Sequence, residues 1–188
     1  MRRPTLLPLA LLLLSSAAAA QERASIEIRP FAGVYVPTGA QHDIFRVGPL
    51  FGVQGALELR PNIHLVGELS WVPANMKVPA TNDNAHILSQ DLGVEMLLVR
   101  ELPNGWMVKP FAGVGGGIRN FLYRANEFTS RGGPSGYGTL GSELEIGSIA
   151  LRLEARGHIF RYRPPTVGSD NVTRRDMTVQ LGMAYHLR

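Results

Sequence analysis

Ile149-Ala150-Leu151-Arg152-Leu153-Glu154-Ala155-Arg156-Gly157-His158-Ile159 sorts its residues by parity. Ile149, Leu151, Leu153, Ala155, Gly157 and Ile159 fall on one side, and Ala150, Arg152, Glu154, Arg156 and His158 on the other. Side chains alternate faces in this way only in an extended strand; a helix would scatter the charged residues around its axis. The stretch is predicted to be a β-strand with one apolar face and one charged face.

The same reading extends in both directions. Phe51, Val53, Gly55, Leu57 and Leu59 oppose Gly52, Gln54, Ala56 and Glu58, and Ile63, Leu65, Gly67, Leu69 and Trp71 oppose His64, Val66, Glu68, Ser70 and Val72. Further along, Leu92, Val94, Met96 and Leu98 stand against Asp91, Gly93 and Glu95, and Met177, Val179, Leu181, Met183, Tyr185 and Leu187 against Thr178, Gln180, Gly182, Ala184 and His186. About eight such segments follow one another, joined alternately by short and long connections. The short ones are Arg60 to Asn62, Glu101 to Trp106, and Gly147 with Ser148. The long ones are Pro37 to Gly48, Pro73 to His86, Arg124 to Gly136 and Arg163 to Arg175.

A chain of 188 residues, 45% hydrophobic and without a linker-like stretch, is read as one domain. Met1 to Ala20 has Arg2 and Arg3, an apolar core from Leu6 to Leu14, and small residues at Ala17 to Ala20, the layout of a cleavable secretory signal. Its apolar run is short for a spanning helix. The expected division is therefore a signal peptide at 1–20 and a mature domain at 21–188. Loss of Arg2 and Arg3 from 19 basic residues leaves 17 against 15 acidic ones, a formal charge of +2 that implies no nucleic acid. Cysteine is absent, which excludes disulfides, a thiolate metal site and a lipidated cysteine.

Alternation alone does not separate a half-buried soluble sheet from a sheet in lipid. Three further features favour lipid. Segments of about 10 residues, rising about 3.3 Å each and tilted by about 40°, span roughly 25 Å, the height of an outer-membrane apolar band. Phe51 and Trp71 fall on the apolar parity at long-loop ends, and Trp106 and Tyr185 at short-turn ends, as two interfacial girdles would. Finally, Glu27, Glu58, Glu68, Asp91, Glu95, Glu143, Glu145 and Glu154 share the other face with Arg29, Lys109, Arg119, Arg152 and Arg156. Inside a narrow barrel these groups are expected to satisfy one another as a connected polar network, since isolated buried charges are costly. Gly113, Gly115 and Gly117 share that parity and leave room for the long side chains. A barrel of this size is filled by side chains rather than by water.

Arg29-Pro30-Phe31-Ala32-Gly33-Val34 recurs as Lys109-Pro110-Phe111-Ala112-Gly113-Val114, and fainter echoes link later strands. Two readings stand: a duplicated four-strand unit, or the small alphabet that all barrel strands share.

Gln180-Leu181-Gly182-Met183-Ala184-Tyr185-His186-Leu187 runs polar, any, glycine, any, any, aromatic, any, hydrophobic. It resembles the β-signal, here Gln180, Gly182, Tyr185 and Leu187, by which the barrel-assembly machinery recognises a last strand, although Arg188 follows where many members end on an aromatic residue. Together with Lys109 to Gly117 and Leu151 to Arg156, it makes the mature chain resemble the small bacterial outer-membrane β-barrels related to the OmpA membrane domain and OmpX. That resemblance implies an all-β, eight-stranded antiparallel up-and-down transmembrane barrel in the outer membrane of a Gram-negative-type bacterium. It further implies long loops outside the cell and a role in envelope integrity, adhesion or surface interaction.

Some small barrels of this kind modify lipid A, and a deacylase needs a membrane-facing His and Ser with a supporting acid. His158 points to the charged face with Phe160 two residues on, His42 and Asp43 have no adjacent serine, and His64 and His186 share the charged parity. No catalysis is expected. Five dispersed histidines show no ligand spacing, so neither metal nor cofactor is expected. The long loops are the expected seat of specific function, with Arg124, Arg131, Arg163, Arg174 and Arg175 as candidate contacts to lipopolysaccharide phosphates at the outer rim. Expected partners are outer-membrane lipids, lipopolysaccharide and, during biogenesis, the assembly machinery; a monomer is expected. Three alternatives stand beside this reading: a soluble lipocalin-like carrier with the faces reversed, a narrow ion channel, and a lipid A-modifying enzyme.

Overall fold

In a computed structural model, residues 25–77, 84–123, 131–146, 149–162 and 172–187 are described. The predicted signal peptide lies outside them. The long strands are β1 (Ile26–Thr38), β2 (Gly48–Arg60), β3 (Ile63–Asn75), β4 (Asn84–Leu97), β5 (Met107–Tyr123), β6 (Arg131–Ile146), β7 (Ile149–Tyr162) and β8 (Val172–Leu187). Each pairs antiparallel with its neighbours in sequence, and β1 pairs with β8 from Ile26↔Leu187 to Thr38↔Arg175. The ring is therefore closed by the first and last strands, as expected, and no edge is left unpaired.

Closure fixes which face is inside. Arg152, Glu154 and Arg156 are buried, while Leu151, Leu153, Leu181 and Met183 are exposed, Leu153 at 56%. Exposed apolar residues such as Leu69, Leu92, Val114 and Leu140 continue that belt around the barrel. A soluble carrier would bury this set and expose the charges. The observed polarity is that of a barrel solvated by lipid, and the lipocalin-like alternative is set aside.

The strands, at 13 to 17 residues, outrun the predicted segments. Three long connections are correspondingly shorter than expected. β3 and β4 continue to Asn75↔Asn84, β6 begins at Arg131, and β8 begins at Val172. Hairpin ladders persist beyond the apolar band because paired backbone groups are as well satisfied in water as in lipid. The tract Gly132-Gly133-Pro134 carries turn-forming residues, yet it pairs in register with β5, with Pro134 opposite Ile118. Here cross-strand pairing overrides local turn propensity.

On the short-turn side, β2 and β3 are joined through Pro61 and Asn62, and Asn62 takes a positive φ of 68°. Beyond β4, Arg100–Glu101 forms a two-residue ladder with Val108 and Met107, and Leu102 N–H bonds Trp106 C=O at 2.8 Å to close the turn. Left-handed backbone at a β-branched residue costs about 1–2 kcal/mol. Asn62→Val is expected to lower stability by that amount and Asn62→Gly to leave it nearly unchanged, as read from urea titration of the refolded barrel.

The internal echo has a counterpart in space. Phe31 in β1 lies opposite Gly52 of β2, and Phe111 in β5 opposite Gly141 of β6. In both pairs the ring occupies the place where a side chain at the glycine would stand. The aromatic residue thereby shields the backbone that the glycine exposes.

Candidate functional site

The lumen is the candidate site, because the ladder directs alternate residues of all eight strands into it. Its organising groups are three buried arginines. Arg152 Nη2 donates to Glu95 Oε1 at 2.6 Å and to Glu154 Oε2 at 3.2 Å, and its Nη1 lies 3.7 Å from Glu143. Arg156 Nη2 donates to Glu154 Oε1 at 2.7 Å, while its Nη1 lies 3.0 Å from Glu68 and 3.8 Å from Asp91. Arg29 Nε donates to Glu27 at 2.8 Å, and its Nη1 to Glu95 at 3.3 Å. Glu95 thus ties Arg29 to Arg152, and Glu154 ties Arg152 to Arg156.

Neutral side chains complete the connections. Gln54 Nε2 donates to both Glu68, at 2.8 Å, and Glu154, at 3.0 Å. Thr139 Oγ1 donates to Glu154 at 2.8 Å, and Gln180 Nε2 reaches Glu68 at 3.4 Å. Lys109 pairs with Glu145 and lies 3.8 Å from Glu143. His64 Nδ1 stands 3.2 Å from Arg29 Nη2. With Gln54 from β2 and Gln180 from β8, every strand contributes to one connected network.

Above it sits a second cluster. Arg119 Nη1 contacts both Asp176 oxygens, at 2.6 and 2.5 Å, and its Nε donates to Ser89 Oγ at 3.0 Å. Three lumen guanidiniums also pack on aromatic faces: Arg152 over Phe111 at 3.5 Å, Arg156 over Tyr137 at 4.2 Å and Arg119 over Phe160 at 5.2 Å. Each ring covers a face of the cation that its carboxylate partners leave free.

Toward the long-loop end the lumen turns apolar. Phe31, Tyr35, Leu50, Val72, Ala74, Ala85, Ile87, Phe121 and Phe160 form a buried cluster around Phe45, which has no solvent exposure. Phe45 stacks on Phe121 with ring centroids 6.0 Å apart. The first long connection therefore differs from the polar surface loop expected for Pro37 to Gly48. After a 3-10 turn at Gly39–Gln41 it drops Phe45 into the mouth. Arg46 N–H to Asn75 C=O, at 2.9 Å, and Lys77 N–H to Ile44 C=O, at 2.8 Å, hold it there. Burying one aromatic side chain overrides the loop's otherwise polar composition.

Every member of the predicted lumen set points inward, although Glu58 is half-buried opposite His64 and joins no ion pair among the described residues. Asp176, Gln54, Gln180, Thr139 and Ser89 were missing from that set. The parity of Asp176 with Thr178 and Gln180 would have revealed the first. Phe51 and Trp71 are exposed on the outer wall with ring centroids 6.0 Å apart, Trp71 Nε1 donates to His86 Nδ1 at 3.2 Å, and Trp106 is exposed at the short-turn end. The side chains of Tyr185 and Leu187 lie outside the described residues; their backbones pair with β1. Gln180 and Gly182 face the lumen, Gly182 opposite both Phe31 and Arg152.

Of the predicted rim arginines, Arg124 and Arg163 lie outside the described residues, as does the side chain of Arg131. Arg175 is exposed on the outer wall, whereas Arg174 alternates to the inner side and is half-buried. His158 is buried in the lumen beside Tyr137, so it does not present itself to lipid.

No family model and no curated protein matches the sequence. Solved structures do. Neisserial surface protein A superposes with a TM-score of 0.62 at 10% identity, covering 87% of this chain and 99% of that one. Ail, the attachment invasion locus protein of Yersinia pestis, gives 0.50 at 13% identity over 89% and 100% of the two chains. The outer membrane protein OprG of Pseudomonas aeruginosa gives 0.50 at 14% over 88% and 96%. At such identities the fold is what is shared. With its closed ring, charged lumen and lipid-facing apolar belt, the chain is a small eight-stranded transmembrane β-barrel of the outer-membrane kind.

Proposed function

We propose that the protein is a monomeric, non-catalytic component of the outer membrane whose barrel is closed to diffusion and whose specific work is done at the outer surface. The observation that carries this reading is the occupation of the lumen by two successive barriers, a network of ion pairs and amide hydrogen bonds drawn from all eight strands and, above it, the apolar cluster around Phe45. Paired ions that satisfy one another leave little reason for water or ions to enter, and an apolar constriction resists wetting. The same rigid wall suits a scaffold that holds outer loops in position for envelope integrity or surface contact. Residues 1–20 as a cleaved export signal, and Gln180, Gly182, Tyr185 and Leu187 as the signal read by the assembly machinery, belong to this reading.

Planar-bilayer recording of the refolded chain tests it. Wild-type protein is expected to give no steady unit conductance, and Phe45→Ser alone to leave it closed, because the ionic layer remains beneath. Unit steps from the wild-type barrel would instead establish a narrow channel. Incubation with lipid A followed by mass spectrometry is expected to return it unmodified; a changed acyl count would establish an enzyme.

A further inference from the structure

The connection from β1 to β2 is strapped across the mouth to the end of β3. Phe45 pairs with Met76 as an isolated antiparallel bridge, flanked by the backbone bonds from Arg46 to Asn75 and from Lys77 to Ile44. One side-chain contact joins the same two segments on their exposed side. Lys77 Nζ lies 3.3 Å from Nδ1 and 3.2 Å from Nε2 of His42, so whichever ring nitrogen is unprotonated, the ammonium has an acceptor beside it.

Opposing terms hold the strap in place. Phe45 gains from leaving water. Gln41, in the same connection, also has no solvent exposure, and neither of its side-chain amide atoms has a hydrogen-bond partner among the described residues. Burying that unpaired amide works against burying the ring, so a small change in the fastening can shift the balance.

His42 supplies such a change, because histidine is the side chain that gains its charge between pH 8 and 5. A doubly protonated ring offers Lys77 no lone pair and sets two positive charges within 3.3 Å of each other. The other charged groups on the two segments, Asp43 and Arg46, are exposed and of opposite sign. From β8, Arg174 and Arg175 line a cleft with Thr38, Gly39 and Ala40 and add positive charge beside the turn. The balance of these charges around a protonated His42 is repulsive.

We propose that residues 39–47 form an acid-released lid. With His42 neutral, Lys77 latches the lid and Phe45 plugs the mouth; with His42 protonated, the latch becomes repulsive and Phe45 withdraws from its seat among Tyr35, Leu50, Phe121 and Phe160. The ionic layer beneath is untouched, so the change is confined to the outer surface.

The chain has no cysteine, so two introduced thiols carry spin labels without competition. Val47→Cys is exposed on the lid, and Arg100→Cys lies in the short ladder at the opposite rim. Pulsed electron spin distance measurement on the full chain refolded in phospholipid nanodiscs then reports the lid's height. One distance is expected to dominate at pH 8, and the population of a longer distance to rise about fivefold at pH 5. His42→Gln keeps an acceptor for Lys77 but does not titrate, and it is expected to abolish the rise, as is Lys77→Gln. The lumen carboxylates and the other histidines remain in both variants, so a rise that persisted in either would overturn the proposal. An unchanged distance distribution in the doubly labelled parent between the two pH values would overturn it as well, and that comparison needs no further variant to fold.

Discussion

Arg156→Met is expected to destabilise the barrel by about 3–5 kcal/mol, the cost of leaving buried charges without their partner. Arg156 is 1% exposed and faces three carboxylates, those of Glu154, Glu68 and Asp91. Methionine preserves much of the side chain's volume, so the loss isolates charge compensation from packing. Glu154 keeps Arg152, Gln54 and Thr139, but Glu68 keeps only neutral donors among its described partners. Adding Glu68→Gln to Arg156→Met is therefore expected to recover part of the loss. The measurement is urea-driven unfolding in phospholipid vesicles, followed by the fluorescence of Trp71 on the outer wall and Trp106 at the short-turn end, both of which are exposed. If the single variant were as stable as wild type, the lumen network would be ornamental.

The second large effect lies on the opposite face. Leu153→Arg places a cation in the apolar belt beside Leu181, its partner on β8, and is expected to cost about 2–4 kcal/mol near the bilayer midplane. Ala150→Ser, three residues earlier but facing the lumen, is expected to cost much less, because a hydroxyl there has polar neighbours within the network. The same folding titration compares them. Equal losses would reverse the inside-outside assignment on which both variants rest.

Much of this fold was legible from parity. Ile149 to Ile159 separates its two faces so cleanly that the lumen side of β7 could be named before any register was known, and the same rule placed Glu95, Lys109 and Glu143. Partners were not legible. Arg152 meets Glu95 across 57 positions of sequence and Gln54 meets Glu154 across 100, and such pairs depend on the stagger of the closed ring, which alternation does not encode. Phe45 was hidden for a different reason. Set among Asp43, Arg46 and other polar residues, it carries no periodic signal, and only the apolar inner ends of β1 to β5 and β7 give it somewhere to go. The strand extensions escaped because glycine and proline at 132–134 announce a turn locally, while the neighbouring strand supplies a ladder.

The network's reach also bears on how the chain enters its membrane. Glu95 of β4 is shared by Arg29 of β1 and Arg152 of β7, strands that come together only when the ring is complete. A partly assembled sheet would leave Glu95 without both of its guanidinium partners, while Arg29 and Arg152 would keep only the carboxylates of Glu27 and Glu154 on their own strands, so no half-barrel is a comfortable resting state in lipid. Insertion and closure are thereby coupled into one cooperative event, with the last strand's docking on the first serving as the step that neutralises the interior.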